Sequence, residues 1–364
     1  MSKKILYAVL NWGLGHASRS IPIINYLLSK NHEVIIASDG EALILLKKEF
    51  PKLKFENLCP YNAIYSEKSN NFNRTIFFQL NKFSKAIKEE HLQVKTIIKK
   101  HNITHIVSDN RYGVYSKQIP STIICHQINL QHNNKFIQQQ MNKLHFSKLD
   151  KFNEIWIPDY EKEESISGEI SNYKELKSLL FPTDISKKIK YIGLLSRMIK
   201  IDFEKQYEIC IILSGPEPQR SILENILSKQ LKNYDKKIAF VRGTQNNIDN
   251  SKMNKNITVF NLLTTKKLNK LINISKTVIC RAGYSSIMDL IKLQKQAILI
   301  PTPGQTEQEY LSKYLKNKKW FYSINQEKFN LAKALLESKK YKIPKLNLLS
   351  NYEIIISNFS ERNV

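Results

Sequence analysis

Short apolar runs rich in Ile, Val and Leu alternate with longer amphipathic stretches along this chain, and this alternation constrains its fold more than any other feature. Near-continuous apolar strands separated by helices are typical of parallel sheets that are covered on both faces. The pattern therefore predicts an α/β protein. The predicted strands of the first half span residues 4–10, 33–38, 103–109, 121–127, 154–158 and 189–193, and the predicted helices span 16–30, 40–50, 73–100 and 133–148.

The second half of the chain repeats this alternation after a break at residues 192–200. A chain of 364 residues is longer than one hydrophobic core usually serves, so we expect two cores. We predict two doubly wound sheets in tandem, with a first domain at 1–192 and a second at 201–345. A C-terminal helix is expected in 346–364, and whether it packs back on the first domain is left open. The predicted strands of the second domain span residues 207–215, 237–243, 257–263, 276–283 and 296–302.

The formal net charge of +25 is compatible with nucleic acid, an anionic membrane surface or acidic substrates as partners. Only eight of the 57 basic residues are Arg, and the other 49 are Lys, accompanied by abundant Asn and Ile, a bias that an AT-rich genome also produces. Phosphate recognition favours Arg, and the sequence contains no helix-turn-helix, zinc or RNA-binding signature. We expect no nucleic-acid partner, and contact with an anionic membrane surface stays open.

Four widely spaced cysteines form no CxxC pair, which predicts neither a zinc site nor a disulfide framework and fits a reducing cytoplasm. The N-terminal MSKKILYAVLN has too short an apolar core for a signal peptide, and no apolar run approaches the roughly 18 residues of a membrane span. The expected location is the cytoplasm, with a peripheral place on the inner face of the cell membrane as an alternative.

Ligands of doubly wound sheets lie at the carboxyl ends of the strands, so the loops after strands carry the functional prediction. The first of these loops is NWGLGHASRS. Gly13 and Gly15 permit a close backbone approach, and the helix that begins near His16 offers N–H groups and a side chain that accepts a proton near neutral pH. A dinucleotide fingerprint needs a third glycine where Ser18 stands, so NAD is not the expected ligand.

The loop SGPEPQR follows the first strand of the second domain. Ser214, Gly215 and the predicted helix start form an anion nest, and Arg220 is placed to contact a phosphate. An ordinary capped turn has the same pattern, so this loop carries little weight alone.

The segment CRAGYSSIMDL places Arg281 and Gly283 after a strand and Ser285 and Ser286 at a helix start, with Asp289 one turn further on. Small polar residues at a helix start can hold a diphosphate, and a carboxylate one turn later can reach a ribose diol. The alternative is a simple Ser N-cap, but that would leave Arg281 as a costly charge at a buried strand end.

The last of these loops, PTPGQTEQEY, is irregular because of its prolines and glycine, and it leads into a helix. Glu307 and Gln308 suit sugar hydroxyls. Acidic residues also stabilise the first turn of a helix, so this loop is ambiguous by itself.

Together the four loops resemble those of the GT-B glycosyltransferases, and most closely those of glycosyltransferase family 28, the family of MurG. The stretches that carry the resemblance are GLGH at 13–16, ICHQIN at 124–129, CRAGYSSIMD at 280–289 and PTPGQTEQ at 301–308. The last two are closer still to uncharacterised bacterial and archaeal glycosyltransferase-like proteins. The resemblance implies two doubly wound Rossmann-like domains that face each other across a cleft, with a UDP-sugar bound by the second domain.

The resemblance also assigns donor-side residues. These are Ser214, Gly215, Ser285 and Ser286 for the diphosphate, Arg220 or Arg281 for its charge, Asp289 for the ribose diol, Glu307 and Gln308 for the hexose, and the backbone near 261–263 for the base. Gly283 is a further donor-side residue. Helix dipoles and Arg can stabilise the leaving UDP, so the expected site contains no metal and no further cofactor.

On the acceptor side, His16 is the implied general base, and the topology places Asp109 to orient it. The further acceptor-side residues are Gly13, Gly15, Arg19, Asn110, Arg111, His126 and Asn129. The stretch 61–75 and the apolar NRTIFFQLNKF are candidates for acceptor contact, although a stripe of Phe and Ile more often belongs to a core. A single base implies direct displacement. The expected reaction is therefore an inverting transfer of a hexose or N-acetylhexosamine from a UDP-sugar to a glycan or lipid-linked hydroxyl, as in polysaccharide or cell-envelope biosynthesis.

Three alternatives stay open. A UDP-sugar hydrolase of the pseudaminic-acid-pathway type shares the GxGHxxR loop, matched here by Gly13, Gly15, His16 and Arg19, and transfers the sugar to water. A UDP-sugar 2-epimerase shares the fold, and fold alone does not name a reaction. A basic binding protein without enzymatic activity would account for the charge but not for the four loops.

Overall fold

The computed structural model describes residues 2–61, 80–132, 134–161, 164–172, 185–215, 217–244, 254–345 and 352–360. Within these ranges the chain forms two compact units. The first comprises the described residues up to Leu195 together with a C-terminal helix, and the second begins at Ser196 and ends at residue 345. Beyond Tyr61, the acceptor-side stretch 61–75 lies outside the described residues, as does the first part of NRTIFFQLNKF.

In the described part of the first unit, seven parallel strands form one sheet. The strands are β1 (Lys4–Val9), β2 (Glu33–Ser38), β3 (Lys54–Asn57), β4 (His105–Asp109), β5 (Ser121–Ile124), β6 (Glu154–Ile157) and β7 (Ile189–Tyr191), and the helices are α1 (Gly15–Ser29), α2 (Gly40–Glu49), α3 (Leu80–His101), α4 (Lys135–Leu149) and α5 (Ile185–Lys188). The spatial order is β3-β2-β1-β4-β5-β6-β7. The chain therefore winds outward in both directions from the central pair β1 and β4.

The described part of the second unit contains a parallel sheet of six strands in the order β10-β9-β8-β11-β12-β13. The strands are β8 (Tyr207–Ile212), β9 (Ile238–Val241), β10 (Ile257–Phe260), β11 (Ser275–Arg281), β12 (Ala297–Ile300) and β13 (Tyr322–Ser323), and the helices are α6 (Gln219–Leu231), α7 (Thr265–Asn273), α8 (Tyr284–Lys292), α9 (Thr306–Asn317) and α10 (Leu331–Ser338). Here the central pair is β8 and β11.

Burial on both faces explains why the strands are almost wholly apolar. In β1, Ile5, Tyr7 and Val9 pack into one core cluster, whereas Leu6 and Ala8 pack into another on the opposite face. Alternate side chains of a strand point to opposite faces, so a sheet with helices on both sides needs apolar residues at every position.

The C-terminal helix α11 (Tyr352–Ser360) packs on the first unit. Ile356 and Phe359 are buried in the core cluster beneath α1, and the Phe359 ring meets Trp156 edge-on at a centroid distance of 5.4 Å. The hydroxyls of Tyr26 and Ser357 share a hydrogen bond of 2.6 Å. The last described segment of the chain therefore completes the core of the first unit.

Each sheet has one point at which the winding reverses. In the first unit it lies between β1 and β4, and in the second between β8 and β11. A crevice opens at the carboxyl ends of the two strands at such a point, because their connections leave in opposite directions. The loops that carry the predicted site residues follow these four strands, β5 and β12.

The predicted fold class is confirmed, because both units are parallel α/β sheets flanked by helices. β3 and β13 are absent from the predicted strands. β3 is only partly buried and alternates without an apolar run, and β13 contains two residues. Among the described residues, no helix is both long and apolar enough to cross a membrane.

Candidate active site

The loop after β1 places His16 against the end of β4. α1 begins at Gly15, so His16 lies in its first turn, and its Nδ1 is 2.7 Å from Oδ1 of Asp109, the last residue of β4. Gly13 has a φ of 75°, a conformation that favours glycine, and so allows the turn that leads into α1. Asp109 is fully buried, and His16 is 9% exposed. The two residues paired in the sequence analysis as base and orienting carboxylate are thus in direct contact.

Arg19 and Ser20, on the next turn of α1, hold the other side of the Asp109 carboxylate. Arg19 donates to Oδ2 through Nε at 2.8 Å and to Oδ1 through Nη2, and the Ser20 hydroxyl donates to Oδ2 at 3.1 Å. Arg19 is 3% exposed. A carboxylate bound on both oxygens cannot rotate, so the direction of its hydrogen bond with His16 is fixed.

These contacts also set the protonation states. Burial lowers the pKa of His16, and the Arg19 charge lowers it further, although Asp109 acts in the opposite direction. Burial alone would raise the pKa of Asp109, but the charges of Arg19 and His16 and their hydrogen bonds hold that pKa well below its usual range. At neutral pH the pair is therefore a carboxylate beside a neutral imidazole, and a neutral imidazole can accept a proton.

His126 and Asn129 follow β5, the neighbour of β4. The Nη1 group of Arg19 donates to Nδ1 of His126 at 2.7 Å, which joins His126 to the His16–Asp109 pair. The Asn129 side chain is turned toward α4 instead, where its Oδ1 accepts hydrogen bonds from Gln138 at 3.2 Å and Asn142 at 3.1 Å. The structure thus brings His126 to the site and uses Asn129 to fix the loop that carries it.

Arg111, an expected acceptor-side residue, lies in a separate buried cluster. Its Nε donates to Glu90 of α3, its Nη1 to Asp39 at 2.6 Å, and its Nη2 to the carbonyl of Cys59 at 2.6 Å. Arg111 is fully buried because Glu90 supplies a carboxylate there, and its described contacts do not include His16 or Asp109. Asn110 stands at a φ of 60°, with its Oδ1 buried and unpartnered among the described residues.

In the second unit, the loop after β8 and Thr302 in the loop after β12 lie together. Gly215 has a φ of 100°, and the position that a Cβ would take there is 3.9 Å from Oγ1 of Thr302. Thr302 is 2% exposed, and its hydroxyl has no hydrogen-bond partner in the described part of the chain. A buried hydroxyl without a partner costs free energy, so an acceptor group supplied by a ligand would relieve that cost.

The two arginines predicted for the diphosphate differ in their partners. Arg220 donates to Glu217 and Glu224, both at 2.6 Å, so its charge is neutralised within the protein. Arg281 is 1% exposed, and within the described part of the chain it donates only to neutral oxygens: the carbonyls of Pro301 and Gln219 and the side chain of Gln326. Its Nε has no partner among the described residues, and burial lowers its pKa to about 10. Arg281 thus carries a positive charge with no carboxylate partner among the described residues.

α8 begins at Tyr284 with Gly283 as its N-cap, so Ser285 and Ser286 lie in its first turn. The first N–H groups of a helix have no intrahelical partner, which makes this end suited to a diphosphate. Asp289, the residue expected at the ribose diol, accepts a hydrogen bond of 2.5 Å from Ser196. Burial raises its pKa to about 6, against the opposing charge of Arg197.

In the loop before α9, the predicted hexose residue Gln308 shapes the backbone. Its Oε1 accepts a hydrogen bond from the Thr302 amide at 2.9 Å, and its Nε2 donates to Gln305. Glu309 accepts from the Gly304 amide at 2.8 Å. These bonds hold Thr302 in position, whereas Glu307 in the same turn is only partly buried.

Several residues that shape the site were not singled out from the sequence. These are Thr302, Ser20 and the two Glu partners of Arg220. Glu224 stands four residues after Arg220, a spacing that brings two side chains together on one helix face and is readable in the sequence. A single hydroxyl such as Thr302 carries no such signal. In the described ranges, no group of three or more His, Cys, Asp or Glu side chains is arranged to hold a metal ion.

Comparisons with known proteins agree with this architecture. Residues 209–347 match the model of the glycosyltransferase family 28 C-terminal domain, and residues 3–145 match the model of glycosyl transferase family 1. A search of curated proteins returned no significant match. Both halves of the chain thus carry glycosyltransferase domains.

Solved structures similar to this chain are GT-B glycosyltransferases. MurG of Acinetobacter baumannii superposes with a TM-score of 0.59 at 12% identity, covering 100% of both chains. The glycosyltransferase of kitacinnamycin gives 0.61 at 11% identity over 93% of each chain, and SnogD of Streptomyces nogalater gives 0.60 at 10% identity over 99% of this chain and 96% of its own. These similarities establish the GT-B fold.

Proposed function

We propose that this glycosyltransferase of GT-B fold transfers a hexose or N-acetylhexosamine from a UDP-sugar to a hydroxyl acceptor, with inversion and without a metal ion. The observation that carries the proposal is the buried contact of His16, Asp109 and Arg19 at the winding reversal of the first sheet. A neutral histidine backed by a fixed carboxylate is the arrangement that a general base requires.

The donor occupies the carboxyl ends of β8, β11 and β12. The N-terminus of α8 and the Thr302 hydroxyl bind the diphosphate, and the buried Arg281, which donates to the carbonyl of Pro301 next to Thr302, supplies positive charge. As UDP leaves, negative charge grows on its terminal phosphate, and preorganised dipoles and a buried cation stabilise that charge. Of the two arginines considered from the sequence, Arg281 rather than Arg220 is therefore proposed to offset the charge of the diphosphate.

The reaction is a direct displacement at the anomeric carbon. Nε2 of His16 accepts the proton of the acceptor hydroxyl while that oxygen forms the new bond to the anomeric carbon. The bond from that carbon to the phosphate oxygen breaks, and its electrons leave with UDP. Asp109 stabilises the imidazolium that results, which keeps the base oriented throughout the step.

The test is UDP release from a panel of UDP-sugars, measured with and without a panel of hydroxyl acceptors, together with thermal stabilisation by each UDP-sugar. His16→Ala is expected to lower release by about 10²- to 10⁴-fold, the usual contribution of a general base, without loss of UDP-sugar binding. His132→Gln, on the loop before α4, is the matched control and should keep wild-type activity. Release that is unaffected by His16→Ala would refute the base assignment, and a protein that binds no nucleotide sugar would refute the function.

The position of Arg19 favours a second candidate, hydrolysis of the UDP-sugar. Arg19 completes the GxGHxxR pattern of the hydrolase and contacts both His126 and Asp109. The same assay separates the two functions. Fast UDP release with no acceptor present indicates hydrolysis, whereas donor binding with little release indicates a transferase that needs its acceptor.

We propose that the enzyme meets its acceptor at an anionic membrane surface that faces the cytoplasm. α4 carries three Lys and no acidic residue, and Phe136, Ile137, Met141 and Leu144 are exposed on it by 37 to 68%. Exposed apolar side chains beside lysines are typical of helices that lie on anionic lipid. The four cysteines are buried free thiols, which is compatible with a reducing compartment.

Vesicle sedimentation tests this surface. The protein should bind phosphatidylglycerol vesicles and not phosphatidylcholine vesicles, and the double variant Phe136→Ser, Leu144→Ser should lose binding. Leu336→Ser is the control, since Leu336 is equally exposed (61%) but belongs to α10 of the second unit. Equal binding by the double variant and the wild type would refute the membrane assignment.

A further inference from the structure

Arg19 contacts two histidines, and the partners of each Nδ1 atom fix where that histidine carries its proton. A guanidinium group has donors and no acceptor. The contact of 2.7 Å between Nη1 of Arg19 and Nδ1 of His126 therefore requires a lone pair on Nδ1. A neutral His126 then carries its proton on Nε2.

His16 is in the opposite state. Its Nδ1 is 2.7 Å from Oδ1 of Asp109, and that carboxylate is ionised because Arg19 and His16 hold its pKa low. Two lone pairs would repel at this distance, so Nδ1 of His16 carries the proton and donates it to Asp109. The Arg19 nitrogen at 2.9 Å from the same Nδ1 has its own acceptor in Asp109. The lone pair of His16 is therefore on Nε2.

We propose that Arg19 is a positioning residue that holds His16 and His126 in opposite tautomers, so that the site presents one proton acceptor and one proton donor. The rings are 6.3 Å apart between centroids and inclined at 60°. Nε2 of His16 accepts the proton of the reacting hydroxyl, and Nε2–H of His126 donates to a second oxygen of the acceptor. This assignment of roles rests on the proposed function, whereas the tautomers stand on the contacts alone.

Two consequences follow for the site. The two histidines are not interchangeable as bases, because only His16 presents a lone pair on Nε2. The favoured acceptor carries an oxygen next to its reacting hydroxyl, as sugars do. The charged and titratable groups that face His16 are Arg19 of α1, Asp109 of β4 and His126 after β5, so the arrangement depends on three separate elements.

Nitrogen NMR of the full chain labelled with ¹⁵N-histidine, which also reports the protonation state of each ring, tests the tautomers directly at about pH 7.5. Long-range proton–nitrogen correlations should show a protonated Nδ1 for His16 and a protonated Nε2 for His126, with the signals assigned through His16→Gln and His126→Gln. Arg19→Met should move the His126 nitrogen shifts toward the average of two exchanging tautomers, and Arg19→Lys, which restores a donor, should move them back in part.

A protonated Nδ1 on His126 in the wild-type spectrum, or His126 shifts that do not change in Arg19→Met, would overturn the proposal. If Arg19→Met does not fold, the wild-type spectrum alone decides. UDP release measured on the same samples keeps the two claims separate. The predicted tautomers in a protein that cleaves no UDP-sugar would refute the proposed function only, and UDP release with other tautomers would refute this inference only.

Discussion

Replacing Thr302 by Val should stabilise the free protein and weaken its binding of UDP. The Thr302 hydroxyl is buried and has no partner among the described residues, and Val has nearly the same shape without the hydroxyl. An unsatisfied buried polar group costs about 1–3 kcal/mol, so the variant should gain about 1 kcal/mol or more in free energy of unfolding. A hydrogen bond to a charged group contributes about 1.5–3 kcal/mol, so the dissociation constant for UDP should rise at least about tenfold.

Thr122 offers a matched control. It lies in β5 of the first unit, it is fully buried, and its hydroxyl is likewise unpartnered among the described residues. Thr122→Val should therefore stabilise the first unit and leave UDP binding unchanged. Because two units need not unfold together, stability is best measured by hydrogen exchange of peptides from β12 and β5, and UDP affinity by calorimetry. An unchanged UDP affinity in Thr302→Val, or a loss of stability, would refute the placement of the diphosphate at Thr302.

Three further predictions concern protonation. Arg19 lowers the pKa of His16, so Arg19→Gln should move the acid limb of the pH–kcat/KM profile to higher pH, and a limb that stays in place would contradict the electrostatic role of Arg19. Burial lowers the pKa of His145 to about 4, so the free energy of unfolding should fall by about 3 kcal/mol as pH drops from 6.5 to 4. In His145→Gln, acid unfolding curves should not show this dependence of stability on pH. Burial raises the pKa of Asp289 to about 6, so its carboxylate lowers the free energy of unfolding as pH rises from about 4 to 6. In hydrogen exchange, Asp289→Asn should therefore raise the free energy of unfolding by about 3 kcal/mol at pH 7.5 and leave it unchanged at pH 3.5. An equal gain from the exposed control Asp202→Asn would contradict this reasoning.

The sequence was sufficient to pair His16 with Asp109, because both follow strands that the doubly wound pattern places side by side. Parallel strands carry their carboxyl ends to one edge of the sheet, so a prediction of strand order is also a prediction of which loops meet. β3 was not predicted from the apolar pattern, because its residues are only partly buried and need not be apolar.

Side-chain partners were harder to predict than positions. Arg111 and Arg220 stand in loops or helix starts of the expected kind, yet Glu90 and Glu224 neutralise them. Arg111 and Glu90 are 21 residues apart in the sequence, so this ion pair could not be predicted, and that Arg281 has neutral partners among the described residues is visible only in three dimensions. For the same reason Asp289 could be placed on its helix from the sequence, whereas its bond to Ser196 could not.

The measurement that tests the central claim most directly is the configuration of the sugar that leaves the donor. A UDP-sugar in the α configuration, chosen as one that the protein binds, is mixed with a hydroxyl acceptor that supports UDP release, or with water alone if release needs no acceptor, and the reaction is followed by time-resolved proton NMR with the wild type and with His16→Ala. Direct displacement assisted by His16 predicts a β-configured product first, formed by the wild type and slowed at least about 10²-fold in the variant. An α-configured first product, or equal rates in the two proteins, would contradict the account.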